Sequence, residues 1–278
     1  MTEPADRHDR MAAGYEQWWA PVLAPSAIRL LDRIDPIMAN GGRSDRQVLD
    51  VGIGTGNLAI PAVCRWPSAR VVGIDASPDM IRAAEALADE RLDESERRRL
   101  TTRVAVAAQL PFEDASFDIA MSSFVLQLVP SRATVLREIR RVLRPGGRLA
   151  YVTWLADRSS FEPDRVFDRL LDEFGFEEDT RDERCGDVPS AGRGANELRR
   201  AGFRDASASA EMLEYAFTVE AYLAFLTEFD ERTLFAEMER TERRRFLARL
   251  RQALMALDPS ALVFRAPIVY AQGRRADD

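Results

Sequence analysis

The chain of 278 residues contains no lysine; all 39 of its basic side chains are arginine. Without an amine side chain, Schiff-base and pyridoxal-phosphate chemistry have no anchor, and the phosphate-binding pattern G-x-x-x-x-G-K-[ST] cannot be written. Histidine occurs once, at His8, and cysteine twice, at Cys64 and Cys185, with no ligand spacing among them. That argues against a zinc or haem site and leaves two thiols expected to be reduced. Surplus positive charge is also missing: 39 basic against 46 acidic residues give a net charge of −7, so nucleic acid is not an expected partner. Runs such as Asp93 to Arg99 interleave both signs and read as solvated helix faces. No stretch reaches the ~18 apolar residues of a membrane span. The opening MTEPADRHDRM lacks the apolar centre of a signal peptide, so a cytoplasmic protein is expected.

What the chain does have is QVLDVGIGTGN, Gln47 to Asn57. Val48, Leu49 and Val51 form the short apolar run of a strand buried on both faces, and Gly52, Gly54 and Gly56 follow at alternate positions. Such a turn lets backbone approach a ligand closely, because no Cβ intervenes. The dinucleotide fingerprint G-x-G-x-x-G sets a pyrophosphate on the next helix; here the spacing is G-x-G-x-G, with Asp50 two residues ahead. A carboxylate there repels a pyrophosphate and suits an ammonium or sulfonium ligand. A second strand, Val71 to Ile74, ends in Asp75, and Ser77-Pro78-Asp79 opens a helix with an N-cap, a proline at N1 and an acid against the dipole. Asp75 lies 21 residues beyond Gly54, close to the distance at which such folds place a ribose-binding carboxylate. A plain helix-capping role is less suited to Asp75, since Ser77 already fills it.

With DVGIGTGN, VVGIDASPDMI, LPFEDASFD and RVLRPGGRL in this order, Val48 to Trp154 resembles the class I S-adenosylmethionine-dependent methyltransferases, in particular the small-molecule type 11 group related to ubiquinone and menaquinone biosynthesis. The resemblance implies an α/β fold: a Rossmann-like, doubly wound, seven-stranded sheet, mostly parallel with the last strand antiparallel, and helical lid elements. It implies S-adenosylmethionine as cofactor, held by Asp50, Gly52, Gly54, Gly56, Asp75, Ala76, Met80, Ala107, Gln109, Ser123 and Tyr15. Trp19, Gln127 and Trp154 are the expected substrate-pocket residues; no metal is expected. Relatives often carry an acid before the adenine and a histidine near Gln127, whereas this chain has Ala105-Val106-Ala107 and no histidine there.

Taken in order, residues 1–43 read as a tail and helical cap. Met11 to Ala20 is expected to form a short helix stopped by Pro21, Ser26 to N-cap a second that ends at Asp35-Pro36, and Asn40-Gly41-Gly42 to turn. Tyr15, Trp18 and Trp19 read either as core anchors or, from the resemblance, as part of a lid. Residues 44–156 form the cofactor core: a helix over Leu58 to Trp66, a third strand over Thr102 to Ala107, a fourth over Phe117 to Phe124, a helix begun by Ser131 and ended by Pro145-Gly146-Gly147, and a fifth strand over Leu149 to Trp154. Residues 157–217 continue on the substrate side, with a helix from Phe161 to Phe176, a loop from Glu177 to Gly194 and a strand within Phe203 to Phe217. Residues 218–258 read as a helical cover and 259–278 as the last strand and tail, all within one structural domain.

The expected activity is methyl transfer to an O, C or N atom of a small, partly hydrophobic molecule. No catalytic residue is assigned, since histidine and lysine are missing from the pattern; Tyr15, Ser123, Gln127 and Asp157 are the polar groups expected near the mouth. A non-catalytic S-adenosylmethionine-binding sensor or partner subunit stays open, and an NAD-dependent oxidoreductase fits the glycine spacing less well.

Overall fold

The computed structural model describes residues 14–39, 45–156, 161–176 and 186–277. His8, Asp157, Cys185 and the Asn40-Gly41-Gly42 turn lie outside them. Seven strands form one sheet: β1 (Gln47–Val51), β2 (Arg70–Asp75), β3 (Leu100–Val104), β4 (Phe117–Ser123), β5 (Leu143–Trp154), β6 (Phe203–Ala216) and β7 (Val263–Arg275). Their order is β3-β2-β1-β4-β5-β7-β6. The first five pair in parallel, and β7 runs antiparallel to both β5 and β6. The order reverses between β1 and β4, and ligands of open α/β sheets bind at the carboxyl ends of strands beside such a reversal.

Because strand side chains alternate, each apolar strand feeds two cores. One face gathers Val48, Val71, Ile119, Met121 and Val152 against α1 (Ala20–Ala39), α2 (Ala59–Arg65) and α3 (Pro78–Arg91). The other gathers Leu49, Val51, Ala120, Leu149 and Tyr151 against α5 (Arg132–Val142) and α7 (Ala191–Arg200). A four-residue α4 (Glu94–Arg97) precedes β3, with a capping box in which Asp93 and Glu96 satisfy each other's backbone amides. The helical cover consists of α6 (Glu162–Phe174), α8 (Val219–Phe225), a π-helical turn Leu226–Asp230, α9 (Arg232–Glu237) and α10 (Arg240–Met255). Its own core is aromatic: Phe246 is fully buried, with ring centroids of Phe174, Phe167 and Phe235 at 5.2, 5.7 and 5.9 Å.

Several local expectations are corrected. Pro21 does not stop a helix: a π-helical turn Tyr15–Trp19 runs straight into the 20-residue α1, which contains Pro25 and Pro36. Burial of Val22, Leu23, Ala27, Leu30, Leu31 and Ile34 along one face outweighs the amides that the prolines lack. Ser26 is accordingly no cap; its hydroxyl donates to Leu23 O at 2.6 Å inside the helix. The third strand is shifted back to Leu100–Val104, after which Ala105 N still reaches Asp75 O before the chain turns at Val106 to Gln109. Pro145-Gly146-Gly147 falls inside β5 rather than ending a helix, and the register slips there between Phe117 and Ile119 of β4. Finally, α7 begins at Ala191, capped by Ser190 Oγ on Arg193 N, so Gly192 and Gly194 are helical and not loop.

Candidate functional site

The site grows from the ends of β1 and β2. Gly52 and Gly54 adopt φ of +76° and +54°, a region that side chains avoid. The amides of Gly52 and Ile53 both donate to Ile74 O at 2.8 Å, which ties the turn to β2. A Cβ on Gly52 would lie 2.2 Å from Val125 Cγ2, so that glycine permits a close packing contact. A Cβ on Gly54 would meet nothing within 4 Å. The backbone at Gly54 therefore faces open space, which is what a ligand-cradling turn requires.

Asp75, half-buried at the end of β2, accepts from Gly54 N through Oδ2 and from Ser77 N through Oδ1, each at 3.0 Å. It thus shapes the glycine turn and the start of α3, where Ser77 Oγ caps Met80 N. One strand over, Asp50 is 1% exposed, and among the described residues no side chain donates to its carboxyl group. Burial, and next the charge of Asp75, push its pKa up to about 8, with the Ala59 amide opposing.

The N-terminal segment closes over this turn. Thr55 Oγ1 donates to Glu16 Oε2 at 2.6 Å, Arg91 pairs with Glu16 Oε1 at 2.9 Å, and Asn57 Nδ2 donates to Ala20 O at 3.1 Å. Tyr15 lies within the field of Asp75: burial first, then the charges of Asp75 and Glu16, hold its hydroxyl protonated well above the usual phenol range. The turn that carries Tyr15 packs on the π-helical turn of the cover, with Tyr15 and Phe229 edge to face at 6.2 Å and Trp18 Nε1 donating to Glu228 Oε2 at 3.0 Å. Two facing π-helical turns mark a place where helix geometry has yielded to side-chain placement.

Beyond β4 the walls are aromatic. The Trp154 ring lies tilted at 4.4 Å from Phe124 and 6.2 Å from Trp19, and Trp19 lies 5.6 Å from Phe225 and 6.0 Å from Phe264. Phe124 has φ of +54°, costly for a bulky residue. Gln127 helps to hold it there: its Nε2 donates to Phe124 O at 2.7 Å, and its Oε1 accepts from Thr153 Oγ1 at 2.6 Å. Gln127 is therefore a brace for the β4 loop, and its amide is already engaged at both ends.

Of the expected residues, Asp50, Gly52, Gly54, Gly56, Asp75 and Tyr15 converge at the β1 and β2 ends. Met80 is buried in α3, and Ala76 is exposed at its start. Ala107 and Gln109 lie in the turn beyond β3, Ala107 half-buried and the Gln109 side chain exposed; Ser123 is half-buried at the end of β4. Val125, Glu16, Thr55 and Phe124 complete the arrangement. Only Val125 and Phe124 have a local sequence cue, the end of β4; the Glu16–Thr55 contact joins residues 39 apart with none. Among the described residues no cluster of three or more His, Cys, Asp or Glu side chains could hold a metal. No described helix is long and apolar enough to cross a membrane.

Two carboxyl groups that feel each other's charge, beside backbone that faces open space, fit a cationic ligand with hydroxyl donors. Residues 49–151 match the model of a methyltransferase domain. These residues are a class I S-adenosylmethionine-dependent methyltransferase domain of the type 11 group. The methyltransferase domain is shared with a nocamycin O-methyltransferase of Saccharothrix syringae, 36% identical over 142 residues, which cover 51% of this chain and 47% of that protein. It is shared also with a ubiquinone/menaquinone biosynthesis C-methyltransferase of Geobacter, 38% identical over 104 residues, covering 37% and 43%. The chain thus spans about half the length of these curated relatives, or less. In fold, it is similar to a phosphoethanolamine N-methyltransferase of Haemonchus contortus, whose structure holds S-adenosylhomocysteine. The TM-score is 0.60 at 17% identity, over 99% of this chain and 61% of that one.

Proposed function

We propose that the chain is a cytoplasmic enzyme that transfers a methyl group from S-adenosylmethionine to an O, C or N atom of a small, partly hydrophobic molecule. The observation that carries this reading is the pairing of Asp50 and Asp75 beneath the open backbone of Gly54. When bound, S-adenosylmethionine supplies an activated methyl group on a positively charged sulfur. In this reading Asp50 and the glycine turn hold the ammonium end, and Asp75 takes the ribose hydroxyls. The turn at Ala107 and Gln109 borders the adenine through backbone groups, and Ser123 lies along the methionine arm. The acceptor sits among Trp19, Phe124 and Trp154, with Gln127 fixing the loop that aims it.

Such a displacement asks the protein mainly to align two reactants and exclude water. The lid formed by Tyr15 to Trp19 and the aromatic cover serve that purpose. Acceptors that are already nucleophilic suit the site, such as an enolisable carbon, a phenolate or an amine. The carboxyl groups favour a cationic donor over the neutral thioether left after transfer, which aids product release.

The engaged amide of Gln127 supports a second reading, a sensor or partner subunit that binds S-adenosylmethionine without turnover. Incubating the protein with methyl-labelled S-adenosylmethionine and a panel of phenols, enolisable acids and amines separates the two. Label in at least one acceptor supports the enzyme. Tight binding with no transfer across the panel supports the sensor.

A further inference from the structure

Asp50 combines features that a resting ion-pair site does not have. It sits in the middle of the sheet, opposite Gly73 of β2 and Met121 of β4, at 1% exposure. Among the described residues no side chain donates to its carboxyl group, and the backbone a few residues on, at Gly54, opens onto empty space. From β2 the charged group that bears on it is Asp75, of like sign. From β1's other neighbour, β4, come Met121 and the hydroxyl of Ser122, which is spent on Val51 O. From α2 comes only the amide of Ala59. The N-terminal segment brings Tyr15, a neutral phenol coupled to Asp75, and Glu16, already paired with Arg91. Burial first, and next the like charge of Asp75, make the ionised form of Asp50 costly in the empty site.

We infer that Asp50 is a proton-linked cation selector: it holds a proton while the site is empty and releases it to solvent when a ligand brings an ammonium group beside it. This rests on the cofactor reading above. The step balances simply: the carboxyl O–H bond breaks, the proton passes to buffer, and the carboxylate pairs with the ligand's ammonium charge. A ligand that fills the adenosine half without an ammonium group leaves the proton in place. Affinity for ammonium-bearing ligands therefore rises with pH between about 6 and 8, since less of the binding energy is spent on removing the proton, and levels off once Asp50 is ionised in the empty site. Affinity for an ammonium-free ligand stays flat over that range.

The sign for the empty protein follows from the same displacement. An unfolded aspartate ionises near 3.9, so between about pH 4 and 8 the native state holds a proton that the unfolded chain has lost. Native stability then falls as pH rises through this window and stops falling above it. An uncharged, isosteric amide at position 50 removes the contribution.

The test is calorimetric titration at pH 7 with S-adenosylhomocysteine, S-adenosylmethionine and 5′-methylthioadenosine, each in buffers of low and high ionisation enthalpy, for wild type and Asp50→Asn. Wild type is expected to release most of one proton with the first two ligands and none with methylthioadenosine; the variant is expected to release none. Binding with equal enthalpy in both buffers, or the same release in Asp50→Asn, overturns the inference and leaves the cofactor reading standing. No binding of any of the three overturns the cofactor reading instead. Melting of the ligand-free proteins from pH 5 to 9 decides the protonation state independently of any ligand. The advantage of Asp50→Asn over wild type should widen up to about pH 8 and then hold constant; a constant difference throughout contradicts a buried proton on Asp50.

Discussion

Gly52 and Gly54 share a left-handed backbone and differ in what surrounds them, so alanine at each should give opposite patterns of damage. At Gly52 a Cβ would meet Val125 Cγ2 at 2.2 Å and Cγ1 at 2.7 Å. Gly52→Ala therefore bears both the conformational cost of ~1–2 kcal/mol for a left-handed alanine and an overpacking cost of ~1–3 kcal/mol, about 2–5 kcal/mol together. At Gly54 nothing lies within 4 Å, so Gly54→Ala loses only the conformational ~1–2 kcal/mol. Its methyl group, however, projects into the space assigned to the ligand, and S-adenosylhomocysteine affinity should fall at least tenfold. Urea unfolding of the two variants measures the first difference and calorimetry the second. Adding Val125→Ala supplies a double-mutant cycle: relief of the overlap in the Gly52→Ala background should show as a coupling of ~1–3 kcal/mol. Equal destabilisation by the two glycine variants, or additivity of Gly52→Ala with Val125→Ala to within ~0.5 kcal/mol, would refute the reasoning.

Three further outcomes are expected. Asp75→Ala removes the acceptor for the Gly54 and Ser77 amides and should weaken S-adenosylmethionine binding by ~1.5–3 kcal/mol, about 10- to 150-fold in Kd; unchanged affinity in a titration would discard the ribose role. Glu16→Ala unties Thr55 and Arg91 from the N-terminal segment, so amide hydrogen exchange over residues 15–39 should quicken while the β1 to β5 core stays protected; unaltered exchange would show that Glu16 is no latch. Phe246→Ala empties the aromatic core of the cover and should cost ~3–5 kcal/mol in urea unfolding. Its cofactor affinity, measured below the unfolding transition, should stay near that of wild type.

The cofactor half was legible because its signals are local. Val48 to Gly56 states a buried strand and a glycine turn within nine residues, and Val71 to Ser77 states strand, acid and capped helix within seven; each segment needs only its own neighbours to be read. The structure brings the two together through Gly54 N and Asp75 Oδ2. The lid is less legible because proline in sequence signals a helix stop. Pro21, Pro25 and Pro36 do weaken a helix taken alone, but α1 is held by an apolar face against the sheet, a tertiary effect that no window of α1 displays. The resemblance puts Gln127 in the substrate pocket; its engagement with Phe124 and Thr153 depends on β5 lying alongside, which sequence position alone does not reveal. In sequence Asp50 reads as a charge suited to an ammonium group. That it lies buried within the field of Asp75 follows only from the pairing of β1 with β2.

The central claim is that the ends of β1 and β2 form an S-adenosylmethionine site. Calorimetric titration of the purified protein with S-adenosylmethionine, S-adenosylhomocysteine and NAD, side by side, tests it most directly. The account predicts saturable binding of both adenosyl ligands near one per chain, lost in Gly54→Val, and none of NAD. Binding of NAD alone, or binding of the adenosyl ligands undiminished in Gly54→Val, would contradict it.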